Sequence, residues 1–171
     1  MWVPRQAVQY TADPYTAAEN LLIDPETHQI TGLLDFDFSH IASKADEFFY
    51  SFMEFGGLVP GPFEGAELDR LREYQTQGFP DSTPLEKVEN APIDLDTARL
   101  WQAALRKHHV NGPTDIEGIA ELADIYWFLT DVCPPFFNMP RWLAKRTDEQ
   151  KQAVKAAIGK NLENYLSRWG Y

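Results

Sequence analysis

Two short apolar runs stand near the start of the chain, Leu21-Leu22-Ile23 and Ile30 to Phe36, separated by Asp24-Pro25-Glu26-Thr27-His28-Gln29. Runs of this length, rich in branched side chains and split by a polar, proline-containing break, predict a β-hairpin. Alternation puts Ile30, Gly32, Leu34 and Phe36 on one face of the second strand, and Thr31, Leu33 and Asp35 on the other. An even-length loop places Asn20 on the same face as Asp35, directly opposite or one diagonal step away, within about 5–8 Å. A loop of odd length separates them, because a one-residue slip changes the face.

Downstream, the period lengthens to that of helices. Phe48, Phe52 and Phe55, with Phe49 alongside, predict a helix over 46–55 that Gly56-Gly57 ends. That aromatic stripe reads as core. Leu68, Leu71 and Tyr74 predict a short, charged helix over 64–75. Ala98, Trp101, Ala104 and Leu105 mark the buried side of another, opened at Asp94 or Asp96, running to His109 and stopped by Asn111-Gly112-Pro113. A further stripe joins Ile116, Ile119, Ala120, Ala123, Tyr126 and Trp127, opened at Thr114 or Asp115 and ended by Cys133-Pro134-Pro135.

Thr147 followed three residues later by Gln150 has capping-box spacing. It opens a last helix with Val154, Ile158, Leu162, Tyr165, Leu166 and Trp169 facing inward. Residues 77–92 hold three prolines and no periodicity, which predicts a surface loop and the one internal boundary of a single domain over 1–171. A hairpin followed by helices predicts an α+β chain with a mostly helical body, and not a βαβ sheet.

The chemistry sits in and before the hairpin. An amide oxygen at Asn20 and a carboxylate at Asp35 make a hard-oxygen pair suited to Mg²⁺, which takes few protein ligands and leaves positions for phosphate. Asn20-Leu-Leu-Ile-Asp, a turn, then Ile30-Thr-Gly-Leu-Leu-Asp35-Phe-Asp resembles the catalytic segment of the aminoglycoside phosphotransferase and choline kinase-like family. That family carries a His-x-Asp-x-x-x-x-Asn loop, a hairpin and an acidic Asp-Trp/Phe-Glu/Asp triplet.

The resemblance implies the C-terminal lobe of a kinase-like fold, with 11–40 as catalytic loop and hairpin and 41–171 as helical body. It implies ATP as phosphoryl donor, Mg²⁺ held by Asn20 and Asp35, and a small-molecule hydroxyl as acceptor. Asp37 takes the triplet's second acidic position, and Asp46 resembles the family's acid at the start of the following helix. Asp46 equally fits a first-turn acid favoured by the helix dipole. The loop before Asn20 departs from the pattern, since Tyr15 stands where the family has its base. Either a two-residue insertion carries Asp13 as the base, or the base is absent. Asp13 before Pro14 also reads as a turn residue.

The resemblance covers one lobe. Arg5 is the only basic residue ahead of the segment, and all ten glycines fall at Gly32 or later, so no strand lysine or glycine-rich turn covers the phosphates. A nucleotide-binding lobe is therefore expected to be absent, and an apolar patch around Trp2, Val3, Val8, Tyr10 and the hairpin is expected to be exposed and to promote self-association. The rival expectation is a non-catalytic helical binding domain.

Composition narrows the setting. A net charge of −11 argues against nucleic acid as a partner. The single cysteine, Cys133, excludes an internal disulfide framework. The opening residues lack an apolar signal core, and no run approaches a membrane span, so the expected setting is cytoplasmic. His108-His109 read as surface groups at a helix end rather than metal ligands. Trp127, Phe128, Phe136, Phe137 and Trp142 read as core, and the family resemblance offers a flat lining for a substrate as the alternative.

Overall fold

The computed structural model describes residues 10–12, 20–34, 40–81, 85, 93–134, 137 and 139–171, and the backbone alone for 10–12, 40 and 41. In chain order the strands are β1 (Tyr10–Ala12), β2 (Leu21–Ile23), β3 (Ile30–Leu33) and β4 (His40–Ala42). The helices are α1 (Glu47–Tyr50), α2 (Ala66–Gln77), α3 (Leu95–Lys107), α4 (Ile119–Val132), α5 (Pro140–Ala144) and α6 (Asp148–Arg168), with short 3₁₀ turns at Met53–Phe55 and Pro113–Asp115. This is the expected α+β chain, a short hairpin on a mostly helical body. Its contacts divide it into two compact units, Met1–Ala120 and Glu121–Tyr171. The sequence instead suggests one domain with its internal boundary at 77–92.

In the first unit, the hairpin β2–β3 is nested inside a second antiparallel pair, β1–β4, in which Tyr10 faces Ala42 and Ala12 faces His40. The six-residue loop 24–29 is closed by Asp24 N–H donating to the Gln29 carbonyl at 2.9 Å and His28 N–H to the Asp24 carbonyl at 2.8 Å. Asp24 Oδ1 also accepts from the N–H groups of Glu26 and Thr27, at 2.8 and 3.0 Å. These bonds hold the Asp24 carboxyl below the usual carboxylate range, Thr27 N–H contributing most.

The aromatic stripe behaves differently from its prediction. The helix lasts only from Glu47 to Tyr50, and Phe52 then adopts the left-handed conformation, with φ 63°. The break lets Phe52 and Phe55 both pack against Trp101, with ring centroids 4.8 and 5.4 Å away. Packing these two rings on the Trp101 ring of α3 outweighs continuing a helix that would point them along one side. Phe48 and Phe49 are core, as expected. Gly56, at φ 64°, comes so close to α3 that a β-carbon there would lie 2.5 Å from Ala98 Cβ.

Leu71, Phe79, Leu85, Ile93 and Ala98 form a buried cluster, with Leu68, Tyr74 and Leu95 packed against it. Phe79 and Leu85 belong to the predicted surface loop, so part of that loop is core. Polar groups share this interior. Arg72 donates to the carbonyls of Pro60 and Ala120, Gln75 donates to the Gly56 carbonyl, and Gln102 reaches Gln75 at 3.5 Å. On α3, Ala98 is buried as expected, but Ala104 is exposed and Gln102 is buried.

In the second unit, α6 opens on the expected capping box: Gln150 N–H donates to Thr147 Oγ1 at 3.3 Å, and Thr147 N–H to Gln150 Oε1 at 3.1 Å. Phe128 of α4 meets the rings of Tyr165 and Trp169, at 5.4 and 5.0 Å. The fully buried Tyr165 donates its hydroxyl to Asp131 at 2.9 Å. Phe137 packs on Trp142, while Phe136 lies outside the described residues. The stripe from Ile116 is helical only from Ile119, after a 3₁₀ turn and Gly118 at φ 74°.

Candidate functional site

Each β-pair ends where a chemically important segment begins. Ala12, the last residue of β1, faces His40, the first of β4. Leu34 N–H donates to the Asn20 carbonyl at 2.8 Å, one step beyond the last β2–β3 pair. Segments 13–19 and 35–39 therefore run between the same two anchors, Ala12–His40 at one end and Asn20–Leu34 at the other. Asp13 follows one anchor directly, and Asp35 follows the other. Asp13, Asp35 and Asp37 themselves lie outside the described residues.

Asn20 is half-buried at the start of β2. The loop has the even length that favours a shared face with Asp35, but the register does not stay constant. Ile23 pairs with Ile30 while Leu22 pairs with Gly32, so Thr31 is an extra residue and the ladder shifts by one. Thr31 Oγ1 donates to the Leu22 carbonyl at 3.2 Å beside this bulge. Past it, Asn20 stands opposite Leu34, and strict alternation no longer brings Asp35 to the Asn20 face. The strand ends at Leu33, however, so alternation sets no face for the residues that follow. What remains is adjacency: Asp35 is bonded to the residue that Asn20 holds.

Asp46 has a local task. Its Oδ2 accepts from both the N–H and the hydroxyl of Ser43, at 2.8 and 2.9 Å, closing the turn from β4 into α1. Asp46 is the N-cap residue of α1, and its carboxylate reaches back to Ser43 and does not cap the helix. Among the described residues, no group of three or more His, Cys, Asp or Glu side chains is placed to hold a metal ion. Asn20 is the described member of the proposed ligand pair, and its carboxamide oxygen has the hardness Mg²⁺ prefers.

The two units differ in charge. Of 26 acidic and 15 basic residues, the Glu121–Tyr171 unit takes six acids and seven bases, so the unit with the hairpin carries all of the net negative charge. The hairpin is also apolar and open: Leu22, Ile23, Ile30 and Leu34 are 47%, 54%, 64% and 46% exposed. No helix among the described residues is long and apolar enough to cross a membrane.

Counting apolar periodicity missed the polar interior of α2 and α3 and the wall that α3's end makes toward the β4–α1 turn. The one available signal was Arg72 and Gln75 flanking Leu71 on α2's inner side. No protein-family model matches the chain, and no curated protein or solved structure matches it either.

Proposed function

We propose that this chain is the acceptor- and metal-binding part of a small-molecule phosphotransferase resembling the aminoglycoside phosphotransferase and choline kinase-like family. The reaction moves the γ-phosphoryl group of ATP to a hydroxyl: the hydroxyl oxygen bonds to phosphorus, ADP leaves, and the proton passes to a base. Asp13 accepts or orients that proton. Asn20 and Asp35 supply oxygen ligands to Mg²⁺, with Asp37 as the second acid of the triplet. The metal, when bound, neutralises charge on the phosphates.

The single observation behind this reading is the pair of shared anchors. Two nested antiparallel pairs set Ala12 opposite His40 and Asn20 opposite Leu34, so Asp13 and Asp35 each follow directly on a paired residue in the sequence. A net-negative unit suits a cation there. ATP dependence and a lone cysteine suit a reducing, cytoplasmic setting.

In this reading the phosphate-covering lysine and glycine-rich turn are supplied by a structure from outside residues 1–171, within which no glycine precedes Gly32 and no lysine precedes Lys44. The open apolar hairpin is the surface such a structure covers, or through which copies of this chain self-associate. The same surface also supports the rival reading, a non-catalytic binding domain.

Titration with Mn²⁺, followed by NMR line broadening, separates the two. The phosphotransferase reading expects the Asn20 side-chain amide to broaden first and Asp35→Asn to abolish the effect. Broadening that is indifferent to Asp35 would sink the metal site and favour the binding domain. Turnover of ATP by the purified chain alone should stay at background; Mg²⁺-dependent turnover lost in Asp35→Ala would show that the chain supplies its own phosphate contacts.

A further inference from the structure

A cavity of about 440 Å³ lies between the turn from β4 into α1 and the turn that ends α3. That is a volume in which small molecules bind, and its construction suits one: apolar walls with a few polar groups that fix orientation. Phe48, itself nearly buried, and Val110 supply apolar surface. Lys44 and Glu47, three residues apart around the turn, put a cation and an anion on one wall. His109 and Asn111 form the other. Ser43 follows β4 directly, so the cavity lies about 10 Å along that strand from the Ala12–His40 anchor.

The backbone at His109 is a second, separate observation. Helix α3 ends with Val110 N–H donating to the Leu105 carbonyl at 2.9 Å and His109 N–H to the Arg106 carbonyl at 3.1 Å. This is the Schellman arrangement, whose penultimate residue has positive φ and is usually glycine. Here it is His109, at φ 57°. A β-carbon in that conformation lowers stability relative to glycine, and residues held against such a cost collect at ligand sites. His109 is one of the residues that line the cavity.

We infer that this cavity binds a small zwitterion with an apolar body, of the class of free aromatic or branched amino acids. The carboxylate meets Lys44, the ammonium meets Glu47, and the side chain lies over Phe48 and Val110, with His109 and Asn111 across from it. A ligand with one charge would meet only one of these two side chains, whereas a zwitterion meets both. Lys44 and Glu47 both have partners in the free protein, so binding exchanges those contacts for contacts with the ligand. The inference does not depend on phosphoryl transfer.

The test is an NMR titration of the full chain with L-phenylalanine, 2-phenylethylamine and 3-phenylpropionate. The expected result is a saturable shift of the amides of 43–48 and 109–111 by L-phenylalanine, with each singly charged analogue at least tenfold weaker. Lys44→Met and Glu47→Gln, both at the surface turn, should each weaken L-phenylalanine tenfold or more, and Val110→Trp should fill the cavity and abolish the shifts in a folded protein. His109→Gly should raise the melting temperature while weakening binding. Absent or unsaturable shifts, shifts centred elsewhere, or equal affinity for all three probes would overturn the zwitterion site. A His109→Gly protein that melts higher and binds unchanged would remove His109 from it.

Discussion

Asp131 and Tyr165 show how one buried pair sets a pH response. Burial pushes the Asp131 carboxyl above the usual carboxylate range, and the hydrogen bond from the Tyr165 hydroxyl only partly offsets it. The folded state therefore prefers the protonated acid. Its stabilising contribution is complete below the unfolded pKa, near 4, and is lost as pH rises through the higher folded value. Asp24 has the opposite sense: with its carboxyl held low, its contribution is present above the unfolded pKa and fades as pH falls through the folded one. Asp131→Asn keeps an acceptor for Tyr165 and removes the charge, so it should melt at or above the wild type at pH 7 and lose that advantage at pH 4. Asp131→Leu leaves the Tyr165 hydroxyl buried without its acceptor and should lose about 1–3 kcal/mol at both pH values. Equal destabilisation by the two, measured in urea, would mean that the charge itself is needed.

The elements differ in how far they answer to their own sequence. The α6 capping box was legible because both of its bonds lie within four residues; Thr147→Ala should cost about 1 kcal/mol, read as a lower urea midpoint with unchanged slope. The Asp94 start of α3 was legible for the same reason, its carboxylate accepting from Asp96 N–H at 3.2 Å. The end of α1 was not. Nothing local marks Phe52 for a left-handed turn; Trp101, far along the chain, makes that turn worthwhile. Gly56 ends the 3₁₀ turn Met53–Phe55 as its left-handed cap, and it is also a point of contact with α3. Gly56→Ala should therefore cost more than the roughly 1 kcal/mol of a positive-φ penalty, about 3 kcal/mol or more once the overlap with Ala98 Cβ is added. A cost near 1 kcal/mol in the same urea experiment would mean that α3 gives way. At the candidate site, the residue types and order were readable, but the bulge at Thr31 was not, because branched and polar residues fit either register. Asp13, Asp35 and Asp37 fall outside the described residues, so the assignment rests on their described neighbours.

For the molecule as a whole, charge and apolar exposure work against each other. A net charge of −11 repels copies of the chain, while the open apolar hairpin is the surface on which the proposed self-association would occur. Self-association through the hairpin should therefore strengthen with added salt, as screening shortens the repulsion, and Ile23→Lys with Ile30→Lys should reduce it. Sedimentation at low and high salt checks both; association that weakens with salt would point to another surface. The nesting of the two strand pairs carries a further consequence, in the order of events during folding. Joining Ala12 to His40 in an open chain means closing a long loop. Once the hairpin has formed, its residues no longer count as free chain, and the loop left to close is about half as long. Each halving lowers the entropic cost by about 0.6 kcal/mol. The inner pair thus acts as a splint for the outer one, and a turn substitution at Asp24 should slow formation of the β1–β4 pair, two strands it never touches.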